Sequence, residues 1–170
     1  MTNQKNHYLH TVLYVVFFAI LFLISYTEIL PLRIMNASPM PLIAAVVTVA
    51  FYYGEWLGFW SGLLVGIFTD AVSSQFTGFN TILLLLIGLV SGLLMTYILN
   101  RNIYAAGVLS LCANVLYFGA KWLVDYLFLG SSDAANYLLF YAAPSAVYSA
   151  LFIIPFYYFG ILVKKIKYPQ

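Results

Sequence analysis

Charge is the scarcest thing in this 170-residue chain. Only 7 Lys or Arg and 5 Asp or Glu are present, 7% of the residues. A soluble domain of ordinary composition carries roughly 25%. Twelve charges cannot cover a water-facing surface of this size, and 64% of the residues are apolar. A soluble enzyme, a disordered tail and a nucleic-acid binder are excluded together. Cysteine is nearly missing: Cys112 is the single one, so no intrachain disulfide and no cysteine-based metal site can form. Histidine is confined to His7 and His10, beside the first apolar run, where interfacial polar residues are the ordinary reading. That run lacks a small-residue cleavage end, so it is not expected to be a signal peptide. No catalytic residue set, metal-ligand set or phosphate-binding loop is present, so neither an enzyme nor a cofactor is expected.

What remains is long hydrophobic runs. A helix needs about 20 apolar residues to cross a ~30 Å hydrocarbon core. Six candidates lie at 9–30, 40–53, 56–72, 79–99, 103–129 and 137–163. The expectation is a single all-α polytopic transmembrane bundle of six helices. The second run is short, about 21 Å of helix, and alone suits a re-entrant segment. Only Gly54 and Glu55 separate it from the third run, so the two are expected to form a tight helical hairpin.

With six spans both termini share a side. That side collects Lys5, Arg101, Lys164, Lys165 and Lys167; the other collects Arg33. Basic residues favour cytoplasmic loops, so both termini are expected in the cytoplasm. Trp56, Trp60, Trp122 and many of the tyrosines suit interfacial belts.

The most regular pattern runs through the third span: Gly54, Gly58, Gly62, Gly66, then Asp70, each four residues on. Steps of four drift about 40° around a helix, so these positions form one slowly winding stripe. Bare backbone lets a second helix approach closely. The fourth span repeats the device at Gly88 and Gly92. Two readings fit: the stripes pack on each other inside the chain, or a partner protein docks on one of them.

Charged residues near the outward ends of the spans form a second pattern. Asp70, Glu28, Lys121 and Asp125 fall at similar depths, with Arg33 and Asp133 in adjoining loops. Lys121 and Asp125 stand one turn apart, where an ion pair is favoured. A buried polar cluster is expected, locking the bundle with Lys121 neutralising carboxylates, offering a partner-facing patch, or holding a small ligand. Gly78 is expected to supply a turn with positive φ, and Asn80 to cap the fourth helix. Pro144 and Pro155 predict kinks in the sixth span.

The chain resembles the MreD family of rod shape-determining proteins. The resemblance rests on the Pro39-Met40-Pro41 entry, on Gly58, Gly62 and Gly66 leading to Asp70, on Gly78-Phe79-Asn80, and on the Leu-rich run with Gly88 and Gly92. Its specific part is Gly54 to Gly92. It implies a non-enzymatic subunit of the bacterial inner membrane that acts in cell elongation and peptidoglycan synthesis. The implied partners are an MreC-like bitopic protein, MreB, a RodA-type glycosyltransferase and a class B penicillin-binding protein. Family members also resemble, in fold, the substrate-binding subunits of energy-coupling-factor vitamin transporters, which supply the alternative function. Such subunits dock through small residues of their first span; here only Ala19 and Ser25 are small and no small-xxx-small pair occurs.

Overall fold

A computed structural model of the chain describes residues 40–72, 78–99, 102–129 and 142–167, without the side chains of 125–129 and 162–167. The expected first span, Glu28, Arg33, Asp133 and the side chain of Asp125 lie outside the described residues. Every described element is helical: α1 (Pro41–Tyr53), α2 (Glu55–Val72), α3 (Phe79–Tyr97), α4 (Ile103–Leu129), α5 (Ala143–Leu151) and α6 (Ile153–Lys167). Three stretches are long and apolar enough to cross a membrane: Phe79–Tyr97, Ile103–Val124 and Ala143–Ile161, the last uniting α5 and most of α6. The α2 helix is 18 residues long and carries Glu55 and Asp70 near its two ends.

The centre of the molecule is α1. Each residue from Pro41 to Phe51 is buried. A helix that is apolar all round has no solvent- or lipid-facing side to satisfy, and belongs inside a bundle. Here α2, α3, α4, α5 and α6 all pack against it. Its one polar residue in this stretch, Thr48, returns its hydroxyl to the Ala44 carbonyl at 2.7 Å, so no polar atom is stranded. Thirteen residues rise about 20 Å, too little to cross the hydrocarbon alone. Burial on every side is how so short a segment is accommodated.

Pro41 opens α1, where its missing N–H costs nothing. Gly54 ends it with φ +85°, a backbone shape that residues with a Cβ rarely adopt. The chain reverses there and α2 runs back beside α1. Gly54 is therefore a helix-ending reversal, and it also stands at the head of the stripe, where a Cβ on Gly92 of α3 would come within 2.8 Å of its carbonyl carbon.

The α5–α6 rod lies alongside α1 and points the same way. At one end the Met40 N–H donates to Ser149 Oγ at 2.9 Å; at the other the Tyr52 hydroxyl donates to the Tyr157 carbonyl at 2.9 Å. The Tyr52 ring occupies the place that a Cβ on Gly160 would need. Of the two expected kinks, the one at Pro144 falls at the edge of the described residues: Ala142 before it is already in helical backbone, φ −72° and ψ −46°, and the chain upstream lies outside the description. At the other, the helix is interrupted at Phe152, three residues before Pro155. The Phe152 N–H turns to the Ser149 carbonyl at 3.2 Å, a tighter i−3 bond.

Two ends of the bundle follow from these directions. One holds Gly54, the start of α2, the end of α3, the start of α4 and the end of α6. The other holds Met40, Asp70, the start of α3, and Tyr117 of α4.

Candidate functional site

The α2–α3 pair is the most intimate contact in the fold. A Cβ on Gly58 would strike the Gly88 carbonyl oxygen, and one on Gly88 would strike that of Gly58. A Cβ on Gly62 would meet the Leu84 carbonyl, one on Gly66 the Thr81 Cα, and one on Gly92 the Glu55 Cα. Each of these approaches is under 3.0 Å and to backbone, which cannot swing aside. Each step forward along α2 is matched by a step back along α3, so the helices are antiparallel and in register. The two glycine patterns are halves of one seam. The stripe is thus filled by this chain's own α3 and presents no bare face to an outside helix; of the two readings, the docking one is replaced by internal packing.

Asp70 closes one end of that seam. Its Oδ1 accepts from the Asn80 N–H at 3.1 Å and from Asn80 Nδ2 at 2.9 Å. Its Oδ2 accepts from the Thr81 N–H at 2.8 Å and the Thr81 hydroxyl at 2.5 Å. Asn80 and Thr81 stand in the first turn of α3, where backbone N–H groups have no partner within the helix. A carboxylate there also meets the positive end of the helix dipole, equivalent to roughly half a charge. Asp70 is therefore the cap of α3, reaching across from α2. The preceding residue, Gly78, has φ +95° and no side chain with which to cap.

The expected roles at this turn divide accordingly. Gly78 supplies the positive φ. Asn80 does not cap the helix; it lies inside it and joins two neighbours. Its Nδ2 donates to Asp70, while its Oδ1 accepts from the Tyr117 hydroxyl at 2.6 Å. Tyr117 is 1% exposed and Asn80 is buried, so this chain of polar contacts starts in the core at α4 and reaches the half-buried Asp70 on α2.

Among the described residues, Lys121 takes no part in the hydrogen bonds to Asp70. At Asp70 the start of α3 supplies the positive end, while Glu28 and the Asp125 side chain, the other carboxylates expected beside Lys121, lie outside the description. Lys121 lies one turn beyond Tyr117 on α4. Of the expected cluster, the structure thus joins Asp70 to Asn80, Thr81 and Tyr117, while Glu28 and the Asp125 side chain are outside the description.

The opposite end of the seam has its own clasp. Thr96 Oγ1 lies 2.9 Å from Glu55 Oε2 and 2.9 Å from the Gly92 carbonyl. Glu55 stands in the first turn of α2, again the end of a helix that favours a negative charge.

Sequence reasoning missed Asn114. It is fully buried on α4, and its Nδ2 donates to the Ser110 carbonyl at 2.8 Å. Its Oδ1 is buried with no hydrogen-bond partner. Ser110, Asn114, Tyr117 and Lys121 recur at helical spacing along α4, a signal that periodicity alone carried. An open buried acceptor costs about 1–3 kcal/mol. Asn114→Leu keeps the branching and removes that acceptor. The variant is expected to melt within about 1 kcal/mol of the parent or above it, whereas Asn114→Asp should melt well below both. A detergent thermal melt compares the three. A large loss in Asn114→Leu would mean that Oδ1 is bonded in the folded protein.

No group of three or more His, Cys, Asp or Glu side chains able to hold a metal occurs among the described residues. The arrangement does mechanical work: it joins two helices along bare backbone and latches both ends. No protein-family model, no curated protein and no solved structure matches this chain.

Proposed function

We propose that this chain is a non-enzymatic subunit of the bacterial cell-elongation complex in the inner membrane, of the kind that its resemblance to the MreD family implies. The observation that carries the reading is the coincidence of that resemblance with one interlocked piece of structure. The residues quoted for the resemblance, Gly58, Gly62, Gly66, Asp70, Gly78, Asn80, Gly88 and Gly92, are those of the α2–α3 seam and its cap. They make a closely packed hairpin, which suits a subunit that holds its partners in place.

The proposed architecture is six spans with both termini in the cytoplasm, the segment 9–30 supplying the first. The proposed partners are an MreC-like bitopic protein and, beside it, a RodA-type glycosyltransferase, a class B penicillin-binding protein and MreB. With the glycine seam closed by α3, a partner helix must use an outward face. On α2 that face carries Leu57, Leu64, Ile67 and Phe68, all exposed. Association in lipid then rests on shape and interhelical polar contact, because apolar burial drives helices together only weakly there.

Depletion in a rod-shaped host carrying a single copy is expected to give rounded cells, and an MreC-like protein is expected to co-purify with the chain. Normal shape after depletion refutes the reading. Nanomolar binding of thiamine, riboflavin or biotin by the detergent-purified protein would replace it with the transporter subunit.

A further inference from the structure

Two carboxylates limit the apolar length of the α2–α3 hairpin. Glu55 and Asp70 stand fifteen residues apart on α2, and both are half-buried, so they reach the surface of the bundle. Neither is free to swing outward toward water. Glu55 Oε2 is held by the Thr96 hydroxyl, and Asp70 by the N–H groups and side chains of Asn80 and Thr81. Thr81 and Thr96 are themselves fifteen residues apart on α3. At 1.5 Å per residue both helices give the same separation, about 22 Å.

A hydrocarbon core is about 30 Å thick. Flanking polar side chains usually bridge such a shortfall by stretching outward, but these two are pinned. Tilting does not help, because it shortens the vertical reach of a helix and widens the gap. The α3 helix, Phe79–Tyr97, is long enough as a helix, yet it carries both latches within its length. The other long stretches have no such limit: Ile103–Val124 and Ala143–Ile161 hold 22 and 19 residues, about 33 and 28 Å of helix. The α1 helix is short but enclosed on every side. The narrow apolar band therefore reaches the surface on one side of the described bundle only.

Between the latches the exposed residues of α3 are Ile82, Leu86, Val90 and Leu93. The small residues among them, Gly88, Ser91 and Gly92, are turned inward and buried. Close docking of another helix in lipid relies on small or polar residues. This face offers neither, so acyl chains suit it, and a partner helix on α2 would leave it open. We infer that the bilayer beside the α2–α3 hairpin is drawn thin, and that the hairpin selects phospholipids with short acyl chains. Thinning a bilayer costs little per ångström, whereas a carboxylate left in hydrocarbon is expensive.

Bromine-labelled lipids quench tryptophan on contact. The protein, carrying Trp122→Phe, reports through Trp56 and Trp60, both exposed on α2. It is reconstituted without partners in brominated phosphatidylcholine with eighteen-carbon chains. Unlabelled phosphatidylcholine with chains of fourteen to twenty-two carbons is then mixed in, and the lipid that binds best restores the most fluorescence. Fourteen-carbon chains are expected to displace the brominated lipid about threefold better than twenty-two-carbon chains. In Glu55→Leu the limit at the Gly54 end is removed, and the optimum should move to longer chains. Thr96 keeps its bond to the Gly92 carbonyl there, so the seam retains that contact. A flat profile in the parent, or an optimum at eighteen carbons or more, overturns the inference: Asp70, with its four donors, would then sit inside the hydrocarbon. This parent profile decides even where the variant fails to fold. An optimum that stays in place in a folded Glu55→Leu also overturns it, because something other than the carboxylates would set the thickness. Tryptophans that no lipid quenches overturn it as well, since protein would then cover the hairpin.

Discussion

Gly62→Leu is expected to prevent the α2–α3 pair from forming. The first side-chain carbon would already fall on the Leu84 carbonyl and within 2.7 Å of its carbonyl carbon. Backbone cannot rotate away as a side chain can, so the two helices must separate along their length. Overpacking in an ordinary core costs about 1–3 kcal/mol because neighbours adjust; here three further glycine contacts on the same seam are lost with the first. A loss above about 4 kcal/mol, or outright failure to assemble, is the expected result. The built-in control is α4. A Cβ at Gly107 or Gly119 would meet nothing within 4 Å. Gly107→Ala and Gly119→Ala should therefore be neutral, or gain up to about 1 kcal/mol from better helix propensity. Melting curves of the three variants in one detergent decide the matter. A Gly62→Leu protein that melts with the parent would show that the seam is not the closest helix contact.

Removing the Asp70 carboxylate is expected to be nearly as damaging. A helix cap is worth about 0.5–2 kcal/mol, and a hydrogen bond to a charged group about 1.5–3. Asp70 receives two backbone and two side-chain donors of α3 at once. Asp70→Ala leaves them unpaired beside the core, and a loss of about 2–4 kcal/mol is expected. Asp70→Asn should rescue little. One oxygen survives, but the amide nitrogen then faces either Thr81 or Asn80, donor against donor. An Asp70→Asn protein as stable as the parent would mean that a single acceptor suffices and that the charge has no role. Because the partners are a backbone terminus and polar side chains, changing Lys121 should leave this cap intact.

The sequence displays the helices clearly because their ends are chemical. Gly54 and Gly78 both take positive φ, and apolar runs stop at each. The seam was legible for a related reason: glycine every fourth residue in two adjacent apolar helices marks close helix approach, although the spacing alone left open which helix approaches. At Gly54 the same spacing hid a second duty, because the stripe there runs across a helix boundary and the residue both ends α1 and faces Gly92. Capping was misread because it is usually local. Asn80 has a suitable side chain, yet the acceptor comes from ten residues earlier, on another helix, and only the folded hairpin brings it there. The partner of Asp70 could not be found by counting charged residues, because the start of a helix carries a partial positive charge that such a count leaves out. Asn114 was invisible as a single amide, and visible as a row only once Ser110 and Tyr117 are taken with it.

The enclosure of α1 has a consequence for how this protein tolerates change over evolutionary time. An ordinary surface helix carries its constraint on one face, so permitted and forbidden positions alternate every three or four residues. From Pro41 to Phe51 no position has a free side. Three small residues, Ala44, Ala45 and Ala50, set how near the surrounding helices come, and larger ones such as Leu42, Ile43 and Phe51 fill what is left. Variation there can proceed only by compensated exchange with a neighbour. The segment should drift as one unbroken block, slowly and together with α3, α4 and α6, while the outward face of α2 remains free to follow whatever lipid or partner it meets.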